Sequence, residues 1–275
     1  MEPRLLHSVD AGVATVVIHH PARRNAMTPG MWQALPPLLE KLAADPEVRV
    51  LVLTGEGGTF CSGADIASLR EPEDAAPDAL GPPELAVLAE EALAAFPRPT
   101  LAAVRGHCVG GGCQLAAACD LRFADENALF GVTPARLGVV YPPGSTRRLV
   151  DLVGRATAKY LLLSGELIDA PGALRTGLVN EMLPEGRLGA RVTEFAGILA
   201  SRSQLTQTAA KEFIAGLPHD RGTYPQERAA LWAEEARASG ETAEGVAAFL
   251  ERRPPRFPWR PGPPRTGGHT NQSVT

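Results

Sequence analysis

Along the first half of the chain, short β-branched runs alternate with stretches whose apolar positions recur at helical spacing. Val13 to His19 reads as a strand, and Pro21-Ala22-Arg23-Arg24-Asn25-Ala26-Met27 as a basic connector. Thr28-Pro29 has the form of an N-cap followed by a first-turn proline, and the helical pattern then runs to about Ala43. Val48 to Thr54 is a second strand, closing in the loop Gly55-Glu56-Gly57-Gly58. A helix over Pro83 to Phe96, a strand over Thr100 to Val104, a helix over Gln114 to Ala118 and a strand over Asp120 to Ala124 follow. Strands that alternate with helices predict parallel pairing with covered faces, an α/β core. Beyond residue 144 the pattern is mainly helical, with one extended apolar piece near Leu178 to Leu183. Arg70 to Pro83, rich in proline, alanine and acids without a usable period, predicts a lid. Arg253 to Thr275 clusters prolines, glycines and polar residues, which predicts a tail disordered at its end.

Composition narrows the class. At 275 residues with 44% hydrophobic content the chain can bury one sizeable core, with room for a smaller helical appendage. No apolar run reaches membrane-spanning length, and Met1-Glu2-Pro3-Arg4 lacks the basic flank and apolar stretch of a targeting signal, so the expectation is a cytoplasmic protein. A net charge of −4 without a basic patch argues against nucleic acid as a partner. Cys61, Cys108, Cys113 and Cys119 form no C-x-x-C pair and no zinc-ligand spacing; they read as small buried hydrophobes, and no metal is expected.

The candidate chemistry lies in two glycine-rich turns. In Val104-Arg105-Gly106-His107-Cys108-Val109-Gly110-Gly111-Gly112-Cys113-Gln114 a strand hands over to a helix through four glycines, which bares backbone amides at a helix start. A dinucleotide fingerprint would need a third glycine where Leu115 stands. A nucleophile elbow would need glycines on both sides of Ser62, where Phe60-Cys61-Ser62-Gly63-Ala64 does not provide them. The second turn, Gly57-Gly58-Thr59-Phe60-Cys61-Ser62-Gly63-Ala64-Asp65-Ile66, has the same strand-glycine-helix form. Two such turns from neighbouring strands can converge their amides on one carbonyl oxygen. Removing one donor from an oxyanion hole costs about 10²–10³ in rate, so the pair would carry much of any catalysis.

Several strings taken together resemble the crotonase superfamily, the enoyl-CoA hydratase/isomerase family. They are Arg23 to Met27, Phe60 to Ile66, Gly106 to Cys113, Cys119-Asp120-Leu121-Arg122-Phe123-Ala124, Ala173 to Asn180 and Phe249-Leu250-Glu251-Arg252-Arg253, in order over about residues 10 to 253. The resemblance implies a crotonase-like spiral of β-β-α turns over 1–200 that binds acyl-CoA. It also implies a C-terminal helical trimerisation region over 201–253, ahead of the Pro/Gly-rich tail 254–275. It implies self-association into a trimer or a dimer of trimers, and an acyl-CoA substrate whose coenzyme A serves in place of any tightly bound cofactor. By position the oxyanion amides belong to Ala64 and Gly111. Arg23, Arg24, Ala26, Ala64, Asp65 and Ile66 would line the CoA nucleotide site, with Phe249 and Arg252 adding contacts from the last helix. Arginines suit CoA phosphates as planar multidentate cations.

The chain departs from the family at the two glutamates its hydratases use to add water. The first falls on Gln114 and the second on Pro134, and neither side chain shuttles a proton near neutral pH. Thr133-Pro134-Ala135-Arg136-Leu137-Gly138-Val139-Val140-Tyr141 resembles instead the methylmalonyl-CoA decarboxylase branch, with an active-site tyrosine at Tyr141. Loss of CO₂ from a malonyl-type thioester needs an enolate stabilised and a carboxylate held in line, without a base. Ala64 and Gly111 would do the first, and Tyr141 or Gln114 the second. Two alternatives remain open: a hydratase or isomerase that recruits Glu71, Glu73 or Asp74, and a non-catalytic acyl-CoA binder. His107 reads as part of the approach loop and Asp120 as structural.

Overall fold

The computed structural model describes residues 2–66, 80–217 and 226–260, which divide into two compact units at Ala200/Ser201. In the first, strands β1 (Arg4–Asp10), β2 (Val13–His19) and β3 (Val50–Gly55) enclose helix α1 (Pro29–Ala44) in chain order. Helix α2 (Pro82–Ala94), strands β4 (Thr100–Val104) and β5 (His107–Val109), and helix α3 (Gly111–Ala118) follow. Then come β6 (Leu121–Asp125), β7 (Leu129–Gly131), α4 (Pro143–Ser164), β8 (Ile168–Asp169), α5 (Ala170–Thr176), β9 (Glu181–Leu183) and α6 (Leu188–Ser201).

One sheet has the order β1-β2-β3-β4-β6-β9 and a second the order β5-β7-β8. Within the larger sheet β1 and β2 form an antiparallel hairpin, and the remaining pairs are parallel. The expected α/β class is present, and its repeat is visible: β4-β5-α3 and β6-β7-α4 each pass from the large sheet to the small one and then into a helix. Residues 60–61 complete the same turn after β3, because Cys61 bridges Cys108 in parallel. Sequence patterning located β2, β3, β4 and their helices but not β1, β5, β7 or β8. β1 is largely exposed, so its letters do not alternate as a half-buried strand's would. The other three have only two or three residues, too few to show a period.

The helix starts follow from the letters. Thr28 caps α1 by accepting from Met31 N at 3.3 Å, with Pro29 at the first helical position. The buried face of α1, Met31, Trp32, Leu35, Leu39 and Leu42, packs with Val16, Ile18, Leu51 and Leu53 in the main core cluster. Arg122, 2% exposed, ties β6 to neighbouring segments: Nε donates to Leu178 O at 2.7 Å and Nη1 to Cys119 O at 2.6 Å. Asp120 accepts from Thr100 N at 2.7 Å and Thr100 Oγ1 at 3.0 Å, joining the starts of β4 and β6.

The second unit contains α7 (Gln204–Ala215), α8 (Gln226–Ser239) and α9 (Glu241–Leu250). The segment after α9 packs within this unit: Trp259 donates from Nε1 to Glu235 at 2.9 Å and from its backbone to Glu241 at 3.0 Å, and Arg256 N donates to Glu244 at 2.6 Å. The proline-rich stretch is therefore anchored as far as residue 260. Of the lid expected over Arg70 to Pro83, residues 70–79 lie outside the described residues, as does the far end of the tail at 261–275, and Pro82 and Pro83 form the start of α2. Among the described residues no helix is long and apolar enough to cross a membrane.

Candidate active site

The two glycine-rich turns meet. Cys61 N donates to His107 O at 2.9 Å and Val109 N to Cys61 O at 3.0 Å, so the segment ahead of Ala64 pairs with β5, which leads into Gly111. Such close approach requires the absence of side chains: a Cβ on Gly112 would lie 2.3 Å from Cys61 O, and one on Gly63 3.0 Å from Val109 O. Gly63 and Gly110 also take positive φ, 102° and 55°.

This pairing leaves two amides side by side. Met27 N donates to Gly63 O at 2.8 Å and Asp65 N to Met27 O at 2.9 Å. In a parallel bridge of this kind the residue between, Ala64, points its own N–H to the other side. Gly111 opens α3 after Gly110, which has no side chain to cap the helix, so its N–H has no intrahelical partner. A Cβ on Gly111 would stand 3.6 Å from Ala64 N. The α3 macrodipole adds partial positive charge at the same point.

Both amides border a cavity of about 160 Å³. Ala64, Gly111, Gln114, Tyr141 and Ile66, five residues singled out from sequence, all line it, as do Trp32 and Pro134. No Asp or Glu is among the described lining residues. Tyr141 is half-buried, and its phenol is held well above the usual tyrosine range, foremost by burial, with Cys113 and Glu90 adding to it. It is therefore an O–H donor at neutral pH. Among the described residues no group of three or more His, Cys, Asp or Glu side chains is placed to hold a metal ion.

The basic connector runs along the rim. Asn25, at φ 57°, donates from Nδ2 to Glu56 O at 2.9 Å and Thr59 O at 2.7 Å, which fastens the connector to the loop after β3. Ser62 N donates to Arg24 O at 3.1 Å, and Ser62 Oγ to Arg23 O at 3.1 Å. Arg23 faces Asp65 at 3.8 Å with most of its side chain in solvent. Ala26 is buried, its carbonyl 2.8 Å from His20 Nδ1. Phe249 and Arg252 belong to the second unit, at the end of α9 and just after it, and both are exposed.

One expectation is corrected by the geometry. Gln114 Nε2 donates to Glu90 Oε2 at 2.5 Å and lies 3.1 Å from Ser145 Oγ. The nitrogen end of this amide is turned away to the interior, so Gln114 does not stand ready to donate to a substrate carboxylate; of the two groups considered, Tyr141 keeps that capacity. Glu90, Ser145 and Arg148 were not singled out from sequence. The signal existed for Glu90, an acid four residues after Ala86 and three before Leu93 on the apolar stripe of α2.

The family pattern described as enoyl-CoA hydratase/isomerase matches residues 8–260. Over 265 residues the chain is 34% identical to the 2,3-dehydroadipyl-CoA hydratase of Escherichia coli K12, covering 93% of this chain and 99% of that one. A crystal structure of an enoyl-CoA hydratase/isomerase family member superposes with a TM-score of 0.87 at 38% identity, covering 95% of this chain and 99% of the other. A crystal structure of an enoyl-CoA hydratase from Bacillus anthracis gives 0.83 at 28% identity, over 92% and 98%. The chain belongs to the enoyl-CoA hydratase/isomerase family of the crotonase superfamily.

Proposed function

We propose that this protein is an acyl-CoA enzyme that stabilises a thioester enolate between the amides of Ala64 and Gly111 and releases CO₂ from a malonyl-type CoA thioester. The observation that carries the reading is the pair of adjacent amides, with no acceptor among the described residues, on a cavity whose described lining has no carboxylate. A hydratase of the two-glutamate kind needs groups that take and give protons; Gln114 and Pro134 occupy those places. Loss of CO₂ needs no base: the C–C bond pair passes into the enolate as CO₂ leaves, the amides receive the charge on oxygen, and a single proton donor completes the product. The surroundings favour that direction. Pro134, Leu137 and Val139 make an apolar wall that solvates a carboxylate poorly and neutral CO₂ well. Tyr141, kept protonated, supplies the proton to the α-carbon and is restored from solvent.

In this reading Arg23, Arg24, Ala26, Asp65 and Ile66 receive the CoA portion, and Phe249 and Arg252 are further CoA-contact residues. The assembly is a trimer or a dimer of trimers. A second reading, hydration or isomerisation of an enoyl-CoA, is favoured by the name of the Escherichia coli relative. It would draw its acid from Glu71, Glu73 or Asp74, which lie outside the described residues.

The test is incubation of the purified protein with methylmalonyl-CoA and with crotonyl-CoA, following CO₂ release in one and loss of enoyl absorbance in the other. Release of CO₂ that disappears in Tyr141→Phe supports the first reading. Robust hydration of crotonyl-CoA overturns it in favour of the second. Tight thioester binding without turnover of either would make the protein a binder.

A further inference from the structure

Glu90 does not line the cavity, yet it is 1% exposed and carries a charge into the core beside it. Three side chains from two other helices converge on its carboxylate. Gln114 on α3 donates from Nε2 at 2.5 Å, and Ser145 Oγ and Arg148 Nη1 on α4 donate as well. Arg148 compensates the charge, and the carboxylate sits near the first turns of both helices, where their dipoles favour an anion. The arrangement decides which end of the Gln114 amide goes where. An ionised carboxylate only accepts hydrogen bonds, so the nitrogen must face it, and Ser145 Oγ lies on the same side of that nitrogen. The carbonyl oxygen Oε1 is turned away from Glu90, no described residue donates to it, and Gln114 is a wall of the cavity.

We propose that Glu90 is a positioning residue that locks the Gln114 amide with its carbonyl oxygen toward the cavity, so that the site selects acyl groups bringing a hydrogen-bond donor, a hydroxyl or N–H, to that wall, while a substrate carboxylate is kept from it, on the side of Pro134, Leu137 and Val139. The proposal rests on the acyl-CoA reading above. A fixed acceptor rewards a donor and disfavours another acceptor, because a desolvated oxygen facing an oxygen leaves both without partners. The two ends of a carboxamide are nearly equal in size. Without an obligate acceptor behind it, the amide can turn over and the selection fades.

The experiment is titration calorimetry with butyryl-CoA and 3-hydroxybutyryl-CoA, which differ by one hydroxyl. The wild type is expected to bind the hydroxy thioester about 10-fold more tightly, the ratio one good hydrogen bond provides. Gln114→Met removes the acceptor and abolishes the ratio. Glu90→Gln, which can face either end of the Gln114 amide, lowers it to about threefold or less while butyryl-CoA affinity stays within about twofold. A merely structural role would weaken both thioesters together and leave the ratio unchanged. If Glu90→Gln does not fold, Ser145→Ala, which keeps the Glu90 carboxylate facing Nε2, must retain the ratio; a ratio lost in Ser145→Ala assigns the lock to Ser145 and overturns the proposal. Equal binding of the two thioesters by the wild type, or a ratio that survives Gln114→Met, overturns the proposal and leaves the acyl-CoA reading standing. Failure of the wild type to bind either thioester overturns both.

Discussion

Gly112→Ala tests whether contact between the two turns is what creates the paired amides. The added Cβ would lie 2.3 Å from Cys61 O, 2.8 Å from Cys61 Cβ and 2.9 Å from Cys61 C. Ordinary contact begins near 3.4 Å, and the obstructing atoms are mainly backbone, so the segment carrying Ala64 must move by roughly 1 Å. The bonds between Cys61 and both His107 and Val109 would then be lost or stretched. At about 0.5–1.5 kcal/mol each they contribute roughly 2 kcal/mol, and the overpacking itself costs about 1–3 more. Against this, alanine gains up to about 1 kcal/mol over glycine in a helix. The expected net loss is about 3 kcal/mol, read by urea unfolding. Displacement of one oxyanion donor should also lower kcat by about 10²-fold or more on whichever CoA thioester the wild type turns over. A control separates steric from glycine-specific effects: Gly197, within α6, has no atom within 4 Å of an added Cβ, so Gly197→Ala should stabilise by about 0.5–1 kcal/mol. A Gly112→Ala protein within about 1 kcal/mol of wild type and turning over at the same rate would refute the argument.

Tyr141→Phe should abolish turnover while changing stability by less than about 1.5 kcal/mol, since only one hydroxyl is removed. Because the phenol's folded pKa is raised above the ordinary value near 10, its contribution to stability is complete below that pH and is lost as pH rises beyond it; the rate profile should show no fall at pH 10 from this group. The buried thiols obey the same sign. Burial pushes Cys61 up to about 12 and Cys108 well above its ordinary 9.0, so the urea midpoint should decline from about pH 9 upward, and a thiol reagent at pH 8 should label none of the four cysteines until the protein is unfolded. Labelling of the native protein would contradict the burial. Arg122→Met should cost about 3 kcal/mol or more in urea unfolding, because the carbonyls of Leu178 and Cys119 lose their buried donor; a cost below about 1 kcal/mol would show that water replaces the guanidinium.

The sequence by itself determined what local chemistry determines. Thr28-Pro29 started α1, the β-branched runs gave β2, β3 and β4, and the glycines around Gly63 and Gly111 marked places where backbone must approach backbone. Motif order was enough to place the chain in its family, and Gln114 and Pro134 could be read directly as non-acids. Tertiary structure decided the rest, because the deciding contacts join residues far apart in sequence. Ala64 and Gly111 become a pair only through the bridge between Cys61 and Cys108. The short strands β5, β7 and β8 are strands because their partners exist, a property no two- or three-residue stretch can signal by period. Gln114 shows the division most clearly. Its letter says only that an amide replaces an acid; which end of that amide meets the cavity depends on Glu90, 24 residues earlier, and Ser145, 31 residues later. An amide is nearly symmetric in shape and opposite in polarity at its two ends, so its chemistry is set by the neighbours that folding brings to it.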